Sequence, residues 1–487
     1  MRNALFGQRT LRAAVSIALG LGFAVSALGA TDLDSLKDQL EQQRKILEQQ
    51  QKVIEQLQQQ VANVSAAQQP TQAGKAGSAS GSPLLSKMQV EIYGSLIPFA
   101  ETIRATDATK AAPVTRPNQL APAAYTGINQ ESRGRMTVGT SNIGFRGSMD
   151  IAKDYKAIWQ IETGVAIDGD SSGIGNSNVL GLRNSNVGIA TPYGTAFVGN
   201  WETPYKFVSI PTAPLRGATT FDFNNIIGNP GFGVLGTATL SGRTGGKADA
   251  AFDRRQGNSI QYWTPNWGGF SGRFGYSVGE TRSNDVAVPS IDPRLWSLSL
   301  GYTNDTLYLQ YAHEEHLDYF GMTQIGGGAL SATNASSKDS GDKLVGMYTF
   351  KSTGTTLTGT YERLQYRNDD TGAAANVKEY NRNAYLVSVQ QKLGPGKAWL
   401  SFSRADDGNC STVGRGACNT SNLGAKQWNT GYVLNLTKFV DLYAAYYELN
   451  NELSGTYQPT NSVTPPTTLP APGLKIKGLG AGAVVIF

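Results

Sequence analysis

From residue 88 onward the apolar residues recur at every second position, in sixteen short segments whose connections alternate between tight and long. The segments are 88–104, 136–149, 154–168, 183–190, 193–201, 256–264, 269–280, 293–303, 305–315, 342–351, 355–366, 379–392, 396–406, 425–436, 439–450 and 474–487. A period of two is the repeat of an extended strand with one apolar face. Tight joints such as Thr191-Pro192, Pro265-Asn266-Trp267-Gly268, Thr303-Asn304-Asp305, Lys351-Ser352-Thr353-Gly354 and Leu393-Gly394-Pro395-Gly396 force their neighbours to pair antiparallel. Between them lie polar stretches such as 105–135, 169–182, 202–255, 316–341, 407–424 and 451–473.

So many strands in series need either a second sheet to cover the apolar face or a closed wall. The alternation of turn lengths favours closure, because short turns at one end and long loops at the other mark transmembrane barrels. The last strand agrees. Leu479, Ala481, Ala483, Val485 and Phe487 share one face, with Gly478, Gly480 and Gly482 on the other. A strand running to the final residue is expected to pair with the first, leaving no open edge in hydrocarbon. An even strand count returns both termini to one side.

Bulk composition conceals this: 40% of residues are hydrophobic and mean hydropathy is -0.28, values of a soluble chain. Barrel strands carry their lipid-facing residues singly between polar ones, so hydropathy averages miss them. Beyond the N-terminus no uncharged apolar run reaches the roughly 18 residues of a membrane helix, which excludes a helical membrane protein. Trp428, Thr430, Tyr432, Leu434 and Leu436 alternate with Asn429, Gly431 and Asn435. Trp296, Leu298, Leu300 and Tyr302 alternate with Ser297, Ser299 and Gly301. Trp201, Trp263, Trp267 and Trp296 near strand ends are candidates for interfacial girdles. The expected fold is an all-β transmembrane barrel of sixteen antiparallel strands, with eighteen as the alternative.

The first 87 residues are different. Arg2, Arg9 and Arg12 precede the apolar run Ala13 to Leu28, the pattern of a signal peptide over 1–29. Over 30–64 a heptad follows, with Leu33, Leu40, Leu47, Ile54 and Val61 at one seam position and Leu36, Gln43, Gln50, Leu57 and Val64 at the other. Such a seam needs partner helices, so a periplasmic coiled coil is expected, with Gln43 and Gln50 fixing register. Residues 65–87, rich in Ala, Gln, Gly, Ser and Pro, form a flexible linker to the barrel, 88–487. Cys410 and Cys418, the sole cysteines, are expected to form one small disulfide after export. The formal charge of +5 falls to about +2 once the signal leaves, and no concentrated basic face speaks for nucleic acid.

Four stretches carry a specific resemblance. Val90-Glu91-Ile92-Tyr93-Gly94, Asn142-Ile143-Gly144-Phe145-Arg146-Gly147, Pro192-Tyr193-Gly194-Thr195-Ala196-Phe197-Val198-Gly199-Asn200-Trp201 and Arg255-Gln256-Gly257-Asn258-Ser259-Ile260-Gln261-Tyr262 occur in this order. Together with the terminal Phe487 they resemble the Gram-negative general diffusion porins. The resemblance implies a homotrimer in the outer-membrane bilayer and a third loop, here 202–255, folded into the lumen. It also implies a C-terminal Phe487 read by the barrel-assembly machinery.

In that family wall arginines face acidic loop residues across the pore. Arg183 and Arg255 match two of those arginines, whereas Asn142 stands where a third is usual. The loop motif reads Pro230-Gly231-Phe232-Gly233, without its acid. What remains is Arg133, Arg135, Arg183, Arg254 and Arg255 against few loop acids, chiefly Asp222. Rings of Arg favour anions. The implied activity is passive diffusion of small hydrophilic solutes with a weak preference for anions. The alternatives are a substrate-selective channel with a saturable site and a plugged barrel with an adhesive or structural role.

Chemistry is not expected. His313 and His316, the two histidines, stand in His313-Glu314-Glu315-His316, where period two puts them on opposite faces and the HExxH spacing fails. They are expected to be solvated rim residues. No catalytic residue, metal site or cofactor is implied.

Overall fold

The computed structural model describes residues 89–111, 125, 127–168, 181, 183–217, 219–230, 251–278, 292–318, 337–368, 377–414, 418–459 and 471–487. The expected signal peptide, the heptad seam and the linker lie outside the described residues.

The described residues contain nineteen strand segments in one antiparallel sheet. They are β1 (Gln89–Leu96), β2 (Phe99–Thr106), β3 (Gln130–Thr137), β4 (Asn142–Ala152), β5 (Tyr155–Gly164), β6 (Ser185–Thr191), β7 (Gly194–Glu202), β8 (Arg255–Trp263), β9 (Phe270–Val278) and β10 (Arg294–Thr303). Then follow β11 (Leu307–Leu317), β12 (Ser337–Phe350), β13 (Thr355–Asn368), β14 (Val377–Leu393), β15 (Gly396–Ala405), β16 (Asn409–Thr412), β17 (Ala425–Asn435), β18 (Val440–Asn451) and β19 (Lys475–Ile486). β1 with β2, β3 with β4, and β15 with β16 are halves of single staves, so the wall has sixteen staves rather than eighteen.

The first break has a local cause. Pro98 has no N–H to give the ladder, and its carbonyl instead accepts from the Ala483 N at 2.9 Å. The second stave breaks beside it, where the Ser141 hydroxyl accepts from the Ile97 N at 2.8 Å.

Closure is antiparallel, as expected. β19 pairs with β2 from Lys475 opposite Thr106 to Gly482 opposite Phe99. At the short-turn end the Gly94 N donates to the Phe487 carbonyl at 2.9 Å, and the Phe487 N donates back at 3.1 Å. The Phe487 ring fills the space over Gly94: a Cβ there would stand 2.6 Å from its Cζ and 2.6 Å from the Asn142 carbonyl oxygen.

The expected short turns all join neighbouring staves. Two long connections are shorter than expected, because β3 begins at Gln130 and β12 at Ser337. The added residues, among them Ser337, Asp339 and Gly341, are polar or small, so no apolar alternation marks them.

Outward-facing Val90, Ile92, Val187, Leu300, Val387 and Leu479 are among many large apolar residues left exposed around the wall. In water such a belt would be an association hazard; in a bilayer it is the required surface. Trp267, Phe270, Phe439 and Phe487 ring the short-turn end. Toward the other end, the Tyr311 hydroxyl donates to Asp342 Oδ1 at 2.7 Å and the Tyr361 hydroxyl to Asn383 Oδ1 at 3.1 Å, apolar ring below and polar tip above. Trp296 also faces outward, but Trp201 and Trp263 do not belong to a girdle. Trp263 has the inward phase of β8, and Trp201, four residues on from the inward Phe197, has the inward phase of β7.

Candidate pore constriction

The described parts of the connection 203–254, residues 203–217, 219–230 and 251–254, enter the barrel. Thr203 caps a short helix, α1 (Pro204–Phe207), its Oγ1 accepting from the Lys206 N at 3.3 Å, with Pro204 in the first turn. The turn delivers Tyr205 to the inner face of the wall, fully buried. There its N donates to Ser297 Oγ at 3.0 Å and its hydroxyl to Glu362 Oε2 at 2.8 Å. Burial and the Glu362 carboxylate push this phenol well above its ordinary value, so it stays a donor.

Glu362, on β13, is the main latch. It also accepts from the Gly228 N at 2.9 Å to each oxygen and from Arg382 Nη2 at 3.0 Å, with Lys343 Nζ at 3.7 Å. Gly228 has a φ of 81°, and a Cβ there would crowd the Asp253 backbone, so glycine is required at this bend. Arg382 donates to the carbonyls of Ile226 and Asn229 as well. Farther along, the loop reaches the first stave, where Thr220 Oγ1 donates to Glu101 Oε2 at 2.9 Å. Phe221 packs edge-on against Phe99 and Tyr447, with centroids 5.7 and 5.6 Å away.

This path divides the lumen. Under the loop, the inward residues of β11 to β15 are dry: Glu314, Glu362 and Arg382 have side chains without exposure. On β1, β3 and β4 the inward residues are wet, with the Glu91 and Arg146 side chains 59% and 49% exposed and Arg133 exposed too.

The expected pore residues distribute accordingly. Arg183 is buried beside the wall and donates through Nε to Glu162 Oε1 at 2.6 Å; Tyr93 donates to the other oxygen at 2.9 Å. Arg255 donates through Nη2 to Glu202 Oε1 at 2.5 Å and through Nε to Asn184. Arg135 donates to Glu101 at 2.6 Å, and Arg133 lies beside it on the same face. Asn142 lies near the mouth of the narrowing, its Nδ2 donating to Ser95 Oγ at 3.0 Å. Arg254 is buried beside Phe252, away from the wet sector. Asp222 is held in its own turn, its Oδ1 accepting from the Asn224 N at 2.9 Å, and its carbonyl accepts from Gln427 Nε2 at 2.9 Å. Pro230 is described, but Gly231, Phe232 and Gly233 of the altered loop motif lie outside the described residues.

Arginines without matching acids were expected; carboxylates are present, on the wall rather than the loop. Glu101 and Glu162 sit at inward positions of their strands, and a charge at that phase is the signal that marks them; Glu202, the last residue of β7, stands opposite Arg255. Cys410 and Cys418 form the expected disulfide, with Cα atoms 5.6 Å apart.

The histidines share one correction. His316 is buried, not a solvated rim residue: it stacks on Phe252 at 4.3 Å and pairs through Nε2 with Glu314 at 2.8 Å. His313, on the outer face, is partly covered and contacts Asp342 Oδ1 at 2.8 Å through Nδ1. Their strand runs farther than the sequence pattern reaches, and the loop roofs its inner face.

A closed sixteen-stave wall, apolar outside and divided inside by an inward loop, defines a transmembrane β-barrel of the outer-membrane type. The model of the family described as Gram-negative porin matches residues 61–454, and the chain belongs to that family. The major outer membrane protein P.IB of Neisseria gonorrhoeae is 23% identical over 232 residues, 47% of this chain and 53% of that protein. The chain thus spans about half the length of that relative. Outer membrane porin protein 32 of Delftia acidovorans is 23% identical over 363 residues, 74% of this chain and 84% of that protein. Among solved structures, the anion-selective porin from Comamonas acidovorans superposes with a TM-score of 0.59 at 20% identity, covering 82% of this chain and 100% of that one.

Proposed function

We propose that the protein is a passive diffusion channel of the outer membrane for small hydrophilic solutes and ions, with a weak preference for anions. The observation that carries this reading is the pair of charged inward side chains, Glu91 and Arg146, that remain exposed inside the wall while the opposite inner face is packed under the loop. Exposed charge inside a lipid-facing cylinder means water in the lumen. Solutes would cross beside the loop, along the sector carrying Arg183, Glu162, Arg133 and Arg135.

The anion preference rests on Arg133, Arg135, Arg183 and Arg255, and the neighbouring carboxylates keep it small. The Comamonas structure is that of an anion-selective porin, which agrees with the sign. The physical reason is that a guanidinium paired with a carboxylate presents a dipole rather than a bare charge. Homotrimers joined beneath the membrane by a three-stranded coiled coil over 31–64 complete the proposal; its support is the heptad seam, which needs partner helices to bury it. Linkers then give the helices a high effective concentration once barrels meet.

Reconstitution of the full-length protein in planar bilayers tests the proposal. Discrete current steps that scale with bulk salt are expected, with a small reversal potential of anionic sign in a salt gradient. Arg183→Gln with Arg255→Gln should move it toward cations. A silent bilayer contradicts the channel; a cationic wild-type reversal potential contradicts the preference.

A further inference from the structure

Trp201 and Trp263, turned away from the outer girdle, join Phe197 in an aromatic cluster on the inner wall. The centroids of Phe197 and Trp201 lie 5.4 Å apart, those of Phe197 and Trp263 5.3 Å, and those of the two indoles 6.0 Å, all edge to face. The loop backs this cluster, with Phe207 5.4 Å from Trp263. Its open side borders a hollow of about 590 Å³ toward the short-turn end of the wall. Small-molecule sites typically enclose about 300–1,000 Å³.

The opposite side of the hollow is polar, formed by Gln160 and the Arg146–Glu91 pair. Arg146 donates through Nε to Glu91 Oε2 at 2.8 Å and through Nη2 to Oε1 at 2.7 Å, a two-pronged pair whose charges cancel. A charged solute therefore finds no unmatched partner there. The aromatic wall offers apolar contact to a ring face, and the amide and the ion pair offer donors and acceptors to a hydroxylated rim. A solute that satisfies both sides is neutral, ring-shaped and rich in hydroxyls.

We propose that this hollow is a subsite for pyranose sugars, entered from the lumen below the constriction. The proposal rests on the reading of the protein as a diffusion channel and adds a saturable step for one solute class. Sugar bound there would stand beside the ion path and lower the current while it stays.

The experiment is single-channel recording of the full-length protein with maltotriose added on the short-turn side, and benzoate as the charged, hydroxyl-free ring. Maltotriose is expected to interrupt the current with saturating dose dependence, and benzoate is not. Trp201→Ala should raise the half-blocking concentration at least ten-fold, whereas Trp267→Ala, on an exposed turn, should leave it unchanged. Should Trp201→Ala fail to insert, Gln160→Ala reads the polar wall with the rings intact and should weaken block as well. Steady current with no maltotriose block, equal block by benzoate, or block unchanged in both hollow variants overturns the subsite and leaves the channel standing. Absence of current in the wild type contradicts the channel instead; tryptophan fluorescence of the detergent-solubilised protein titrated with maltotriose then decides the subsite, a saturable change supporting it and a flat titration overturning it.

Discussion

Gly94 shows how one missing side chain closes the wall. Its backbone pairs with Phe487 in both directions, and the terminal ring lies where a Cβ would stand. Gly94→Val is expected to cost about 1–3 kcal/mol through overpacking. The cost should appear as a lower temperature for loss of the compact band in unheated gel electrophoresis; an unchanged temperature contradicts the closure described. A second residue-scale prediction concerns pH. Burial and the neighbouring Asp407 carboxylate raise the pKa of Glu452, just beyond β18, above its ordinary value. An acid raised in the folded state favours its protonated form there. Its effect on stability is absent below the unfolded value and grows as a penalty when pH rises through the folded value. Glu452→Gln should therefore stabilise the protein at neutral and alkaline pH and change nothing below about pH 4. Thermal melting across that range checks the sign, and a gain confined to acid would contradict it. At this scale the arginines were legible from the resemblance, but their partners were not. Glu202 stands in unremarkable strand sequence and gains meaning from Arg255 opposite, which pairing alone supplies.

In the proposed channel the loop over 203–254 governs permeability, and Glu362 gathers the largest set of its described contacts. Its carboxylate gathers Tyr205, Gly228 and Arg382 at one buried point. Removing one partner of a buried ion pair costs about 3–5 kcal/mol because the remaining charges stay uncompensated. Glu362→Gln is expected to loosen the loop, giving larger and noisier current steps; steps of wild-type size with wild-type noise would show that other contacts hold it. The strands themselves were readable because period two and turn lengths survive in the sequence wherever lipid demands an apolar face. β3 and the start of β12 were missed where the wall runs into polar residues. Trp201 was placed in a girdle because it stands near a strand end, although it shares its phase with Phe197 four residues earlier and alternation alone turns both rings inward. His316 was misread for another reason: burial came from a loop packed across the strand, a contact distant in sequence.

For the whole molecule, closure, stave number and the sense of the turns were legible, whereas the division of the lumen into a dry and a wet half was not. That division depends on where a fifty-residue connection lies, and nothing in its composition says which staves it covers. The assembly prediction also belongs here: deletion of 31–64 should lower trimer heat resistance or assembly yield while the barrels still conduct. Truncated and full-length trimers of equal resistance would assign the heptad another role.

The wet sector can be probed chemically, since the two native cysteines are joined to each other. Arg146→Cys and Thr360→Cys both face inward, the first on the exposed sector and the second buried under the loop. With a small water-soluble thiol reagent applied to reconstituted channels, Arg146→Cys should label rapidly and lose current, while Thr360→Cys stays protected and conducts. Equal labelling of both, or protection of both, would contradict a lumen that is wet on one side of the loop and packed on the other.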